Sequence, residues 1–143
     1  MRQTGGFSLL ELVVTLVIVG ILAAIAIPRF TDSETKATYF HEQVKAAIRY
    51  AQRQAVAQRH CVFVSTSATQ VQLSYGDPSC ATPATPLTQI ATGAAYVLTA
   101  PSGVTISPAT SFFFNGLGQP SASPPLSVSG KAITVSAETG YVY

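Results

Sequence analysis

Side chains that could act as acids, bases or metal ligands are few and widely spaced in this sequence of 143 residues. Downstream of His60 the only charged residues are Asp77, Lys131 and Glu138, and no histidine follows. A Ser-His-Asp triad or a pair of catalytic carboxylates therefore has no set of candidates in that part of the chain. His41 and His60 are 19 positions apart, whereas a zinc site needs about four ligands. The sequence predicts that the protein is not an enzyme and that it holds no metal and no cofactor.

The carboxylate in the most unusual setting is Glu11, because residues 7–27 carry no other charge. At 1.5 Å per residue, a helix over this range is about 31 Å long, which is the thickness of a bilayer's hydrocarbon core. A charge within such a segment costs at least about 2.5 kcal/mol, so it usually marks a partner or a function. The range predicts a transmembrane helix, and Glu11 indicates a specific role within it.

Two alternatives account for parts of this segment. Glu11 lies near one end of it and could extend to the lipid headgroups without any partner. Alternatively, the segment is a signal peptide cleaved near Ala26, after which the mature chain would begin close to Pro28. The apolar run is longer than the 7–15 residues of a signal-peptide core and contains a charge, and both features favour a retained anchor.

The stretch GGFSLLELVVTLVIVGILAAIAIPRF resembles the N-terminus of type IV prepilins. The resemblance implies that residues 1–6 are a leader peptide, that prepilin peptidase cuts between Gly6 and Phe7, and that it methylates the new amine of Phe7. It also implies that Glu11 forms a salt bridge with the Phe7 amine of a neighbouring subunit. Such a pair in a low-dielectric fibre would fix the register of the subunits, because an unpaired carboxylate is costly there.

A second helical segment is predicted over residues 28–60. Pro28 removes a backbone donor and should kink or break the helix. Lys45, Arg49 and Arg53 follow one another at four-residue spacing and are interpreted as a solvated face rather than a nucleic-acid surface, because the later chain adds only Lys131. Apolar residues at three- and four-residue spacing are expected to pack on a head: Ala37, Phe40, Val44, Ala47, Ile48, Ala51, Ala55 and Val56.

Residues 61–143 favour a β-rich head. In the second predicted strand, Val71, Leu73 and Tyr75 alternate onto one face. The predicted strands cover residues 61–65, 69–75, 96–99, 104–107, 111–114, 126–129, 131–136 and 141–143, and residues 80–88 are predicted to be a loop. The fold class is α+β: a long N-terminal helix, half transmembrane and half amphipathic, packed on an antiparallel sheet of about six to eight strands.

The two cysteines, Cys61 and Cys80, fit one disulfide if this head is exported to an oxidising compartment. The alternative is a pair of buried thiols. A disulfide that closes a loop of this size would stabilise the fold by about 3 kcal/mol.

Two stretches of the head, FFFNGLGQP and KAITVSAETGYVY, resemble the C-terminal half of H-type minor pseudopilins and FimT-like minor pilins. The closest resemblance is to the C-type minor pilins of the MSHA (mannose-sensitive haemagglutinin) pilus, and it is suggested by the two cysteines and by the stretches PRF, FHEQVKAAIRYAQRQAVA, TAPSGV and ETGYV. The resemblance implies a structural minor pilin that supports pilus assembly and attachment. One alternative is an H-type minor pseudopilin of a type II secretion system. Another is a DNA-uptake minor pilin, which the nearly neutral head disfavours.

These expectations divide the chain into a leader (1–6), a transmembrane and assembly helix (7–27), an amphipathic helix (28–60) and a globular head (61–143). The implied partners are other pilin or pseudopilin subunits, prepilin peptidase and the inner-membrane assembly platform, and nucleic acid is not expected. Before assembly the chain would cross the bacterial inner membrane once with its head in the periplasm. After assembly it would lie in a pilus at the cell surface.

Overall fold

The computed structural model describes residues 8–26 and 33–143. The chain forms two compact units, Met1–Thr35 and Lys36–Tyr143. The element bounds are α1 Leu9–Ala26, α2 Ser33–Gln58, β1 Val62–Thr66, β2 Gln70–Gly76, β3 Pro83–Pro86, β4 Val97–Thr99, β5 Ile106–Ser107, β6 Thr110–Phe114, β7 Leu126–Val128 and β8 Lys131–Ile133.

Helix α1 is an 18-residue helix, about 27 Å long at 1.5 Å per residue. It begins after Ser8, whose carbonyl accepts a hydrogen bond from the amide of Leu12 at 3.2 Å. No helix within residues 8–26 and 33–143 combines the length and the apolar character needed to cross a membrane. The predicted span also includes Phe7 and Ile27, which lie outside the described residues.

Helix α2 follows the predicted amphipathic pattern over 26 residues. Its apolar stripe is buried as predicted, with the exception of Val56, which is 49% exposed. The helix ends where Arg59 takes a left-handed conformation, with φ at 49°, and the amide of His60 bonds back to the carbonyl of Ala55. Such a reversal satisfies late helix carbonyls, and Val56 lies on the last turn before it.

The larger sheet has five strands in the order β3-β2-β1-β6, with β4 also paired to β2. All of these pairings are antiparallel. Val64 lies opposite Leu73 on one side and opposite Phe112 on the other, and all three side chains are buried. Tyr75 is half-buried and packs against the same core, so the predicted alternation of the second strand is confirmed.

The smaller sheet has three strands in the order β5-β7-β8. Its hairpin turns at Ser129 and Gly130, both of which have positive φ, 47° and 83°. Two such residues in succession are typical of the tight turn that matches strand twist, so the predicted pairing across Gly130 is confirmed. Beyond β8, Thr134 and Tyr143 exchange two backbone hydrogen bonds of 3.0 Å.

The head differs from the prediction in three respects. Residues 141–143, predicted to be a strand, contribute only an isolated bridge between Val142 and Val135. The eight described strands of the head form two sheets rather than one. Residues 83–86, predicted to lie within a loop, form β3 at an edge of the larger sheet. Because β3 has a proline at each end, its sequence does not resemble a typical strand. An edge strand nevertheless tolerates proline, because only one of its sides needs backbone donors.

One hydrophobic core unites α2 with both sheets. The stripe of α2 contributes Phe40, Val44 and Ile48, and the smaller sheet contributes side chains such as Leu126 and Ile133. The architecture is α+β, with an N-terminal helical region followed by an antiparallel β head, as predicted from the sequence.

Candidate assembly site

Helix α1 presents large apolar side chains around its whole circumference. Its leucine, valine and isoleucine side chains from Leu9 to Leu22 are between 47% and 82% exposed. A helix that is apolar on all sides is typical of a protein core or a membrane, not of a surface in water. Among the described residues, most of the exposed large apolar side chains therefore lie on α1.

Glu11 is the acid in the first turn of α1, and its side chain is exposed. A carboxylate there is favourable because the first turn carries the positive end of the helix dipole. Ser8 and Glu11 also have the spacing of a capping box, in which each of the two side chains bonds the other residue's backbone amide. This spacing is a local pattern of the sequence, and it is compatible with the position of Glu11 in the first turn of the helix.

Three of the predicted site residues, Gly6, Phe7 and Pro28, lie outside the described residues. Cleavage, methylation, the kink and the pairing of Glu11 with a Phe7 amine therefore stay predictions. Further along α1 the surface is open: a Cβ added at Gly20 would meet no atom within 4 Å in the described structure. Ala23 and Ala24, on the same helix, are also exposed.

The head contains the Cys61–Cys80 disulfide, with Cα atoms 5.8 Å apart. It joins the residue before β1 to a loop that Asp77 organises. The carboxylate of Asp77 accepts hydrogen bonds from the Ser79 hydroxyl and from the amides of Ala81 (2.7 Å) and Thr82 (2.8 Å). The bond from Ser79, followed by those from the backbone amides, lowers the pKa of Asp77 to about 2.

The basic residues on α2 are not the uniformly solvated row that the sequence predicted. Arg49 is half-buried and its guanidinium donates to the carbonyl of Val142 at 2.9 and 3.3 Å. Lys45 forms an ion pair with Glu42 at 3.5 Å, while Arg53 is exposed. The interpretation as a solvated face is therefore wrong for Arg49, because the backbone carbonyl of Val142 lies within reach of that side chain.

Two further side chains of α2, Gln52 and His41, bond to backbone carbonyls of the head, and the sequence did not predict these contacts. The Gln52 amide donates to the carbonyls of Gly118 (3.0 Å) and Thr139 (2.8 Å). The His41 ring lies 3.0 Å from the carbonyl of Ala132. Their partners are backbone atoms more than 60 residues away, so spacing along the helix contained no sign of them.

Comparisons with known proteins bear on the N-terminal region. Residues 1–27 match the family described as the prokaryotic N-terminal methylation motif. The chain is also 44% identical over 54 residues to the type IV narrow pilus major component PilA5 of Thermus thermophilus. That match covers 37% of this chain and 47% of PilA5, so the chain spans about half the length of the curated relative it matches. No solved structure matches the chain.

Proposed function

Because this chain is a type IV prepilin-like protein, we propose that it is a minor pilin, a structural subunit rather than an enzyme. Prepilin peptidase cuts it between Gly6 and Phe7 and methylates Phe7, and the mature subunit enters a type IV fibre. The match of residues 1–27 to the methylation motif carries this proposal. The similarity to a pilus component, PilA5, agrees with it.

The exposed surface of α1 supports a role in assembly. Burial of one leucine or valine side chain stabilises a structure by about 1.5–3 kcal/mol, so a helix with many such side chains exposed gains from any apolar environment. In the membrane that environment is lipid, and in a fibre it is the same helix of neighbouring subunits. Gly20, Ala23 and Ala24 allow backbones to approach closely, as small residues do in lipid-embedded helix pairs.

Within the helix bundle, Glu11 sets the register. Its carboxylate meets the methylated Phe7 amine of a neighbour, and the pair avoids the cost of a lone charge in low dielectric. Other staggers of the subunits would leave both charges unpaired.

The chain is inserted in the bacterial inner membrane before assembly, with residues 7–27 as anchor and the head in the periplasm. The disulfide supports the location of the head, because such bonds persist in oxidising compartments. The inner-membrane assembly platform then moves the subunit into the fibre.

The fibre is a surface pilus of the MSHA type, and the minor pilin supports its assembly and attachment. The alternative is an H-type pseudopilus of a type II secretion system, which uses the same N-terminal design. PilA5 is named as a component of a pilus, and this favours the first. A DNA-uptake role has less support, because residues 61–143 contain a single cation, Lys131, and phosphate contacts need several.

Mass spectrometry of fibres sheared from cells, compared with the membrane fraction, tests the proposal. We expect an N-terminal peptide that begins at methylated Phe7 in both fractions, at low abundance in the fibres. The same peptide confined to the membrane would favour a pseudopilin. A chain that begins near Ile27 would contradict the proposal, because the first segment would then be a signal peptide.

The role of Glu11 is tested by Glu11→Ala, with Glu138→Ala as a control at an exposed acid of the head. We expect Glu11→Ala to insert in the membrane at the normal level and to be depleted from sheared fibres, because its neighbour's amine loses its partner. The control should enter fibres like the natural chain. Normal incorporation of Glu11→Ala would rule out the salt bridge.

A further inference from the structure

An open groove of about 740 Å³ lies between the last turn of α2 and the loop that follows β6. Val56 and Arg59 line it from the helix, and Asn115, Gly116 and Leu117 line it from the loop. Leu117 is 81% exposed and Val56 is 49% exposed. An isolated exposed leucine is ordinary, but here it forms one wall of a concave apolar surface.

The loop is held in one shape before anything binds. The side-chain carbonyl of Asn115 accepts the amides of Leu117 (3.0 Å) and Gln119 (2.9 Å). Two backbone bonds close it further, from Gly118 to Asn115 at 2.8 Å and from Asn115 to Gln119 at 3.0 Å.

The same loop packs closely on the end of α2. A Cβ added at Gly116 would lie 3.1 Å from the backbone of Arg59, and one at Gly118 would lie 3.0 Å from Val56. Leu117 is thus displayed by a loop whose backbone is already ordered, and an anchor on such a loop loses little backbone conformational entropy in an interface.

The charge beside the groove is positive. Arg59 is exposed, and no ion pair or side-chain hydrogen bond is recorded for it within residues 8–26 and 33–143. Arg53 is also exposed and lies one turn before Val56 on the same side of the helix. A guanidinium next to an apolar wall complements an apolar segment with a carboxylate, which the planar fork can bind through two hydrogen bonds.

We propose that this groove docks an apolar segment with an Asp or Glu side chain from the head of a neighbouring subunit. The inference rests on the proposed function, because a fibre is what brings a second subunit to the head. Leu117 and Val56 supply the apolar contact, and Arg59 selects the carboxylate. The groove is thus a second assembly contact, in the head, distinct from the helix bundle formed by α1.

Site-specific photo-crosslinking in whole fibres tests the contact. A photoreactive phenylalanine replaces Leu117 in the full chain, and the matched control has it at Ile90, which is 91% exposed on another loop. We expect position 117, and not position 90, to yield a crosslinked peptide of a pilin subunit that contains an Asp or Glu among apolar residues. Equal crosslinking at both positions, or a peptide without an acid, would overturn the proposal.

Substitutions give a second test, which does not depend on a photoreactive side chain. Leu117→Asp and Arg59→Glu should each lower the fibre-to-membrane ratio of the chain about tenfold, the effect of losing one interface anchor. Ile90→Asp should leave the ratio unchanged, and all three variants should keep the same unfolding transition, since these side chains are exposed.

The outcomes separate the two proposals. If the natural chain is absent from every fibre, the proposed function fails and the groove contact fails with it. If the natural chain and Ile90→Asp enter fibres and Leu117→Asp enters them equally well, only the groove contact fails.

Discussion

Asp77 is a surface acid whose environment strongly favours its charged form. Its carboxylate accepts hydrogen bonds from the Ser79 hydroxyl and from two backbone amides. These bonds are stronger to the ionised carboxylate than to the protonated carboxyl group. These bonds lower its pKa to about 2, below the ordinary value of 3.8. A group whose pKa is depressed in the folded state contributes stability above its unfolded pKa. The contribution is lost as the pH falls through the folded-state value.

The loop should therefore weaken in acid in a way that depends on Asp77. We expect the difference in unfolding free energy between the natural chain and Asp77→Asn to be constant above about pH 5 and to shrink as the pH falls towards 2. Urea unfolding of the full chain in detergent, followed from pH 7 to pH 2, measures it. Glu138→Gln serves as the control at an exposed acid outside this loop. A difference that stays the same at pH 2.5 would contradict the assigned hydrogen bonds.

Helix α2 is joined to the head by its polar side as well as by its apolar stripe. Gln52 is half-buried and bonds at once to the loop at Gly118 and to the turn at Thr139. Arg49 and His41 make comparable contacts to Val142 and Ala132. Every acceptor is a backbone carbonyl, so these contacts fix the position of the backbone. They do not depend on which side chain the accepting residue has.

Removal of the Gln52 amide should loosen the C-terminal turn. We expect Gln52→Ala to lower the free energy of unfolding by about 1–2 kcal/mol, since two carbonyls lose a donor and Gly118 is buried. Gln58→Ala is the matched control, an exposed glutamine near the end of the same helix. Urea unfolding by circular dichroism gives both values. Equal stability of the two variants would show that the Gln52 contacts contribute nothing net.

The head contains one covalent crosslink, the Cys61–Cys80 disulfide. Cys61 and Cys80 are separated by 19 positions, and between them lie β1, β2 and the Asp77 loop. By restricting the unfolded chain, closure of a loop of this size stabilises the folded state by about 3 kcal/mol. Such a constraint suits a head with only three charged residues in its last 83 positions, where ion pairs offer little support.

Loss of the crosslink should lower stability without changing the fold. We expect Cys61→Ala combined with Cys80→Ala, or reduction of the natural chain, to lower the free energy of unfolding by about 3 kcal/mol. Denaturant titration with and without reductant measures both, and the double variant should not respond to reductant. A reduced head as stable as the oxidised one would remove the case for a stabilising disulfide.

The sequence by itself determined the features that depend on neighbouring positions. The apolar range of residues 7–27 with Glu11, the stripe on α2 and the alternation of Val71 and Leu73 all follow from local periods. The even number of cysteines predicted the disulfide without any knowledge of the distance between Cys61 and Cys80. The prediction of a prepilin leader and its cleavage site also rests on one contiguous stretch, GGFSLLELVVTLVIVGILAAIAIPRF.

Only the tertiary structure decided what meets across the chain. It divided the strands between two sheets, placed the proline-rich β3 at an edge, and left Val56 exposed beside Leu117. It also brought Arg49 to Val142 and Gln52 to Gly118, over separations of 93 and 66 residues. Contacts between residues so far apart in the sequence depend on how the folded chain packs its core. The local spacing of residues does not determine which backbone carbonyl then lies beside a given side chain.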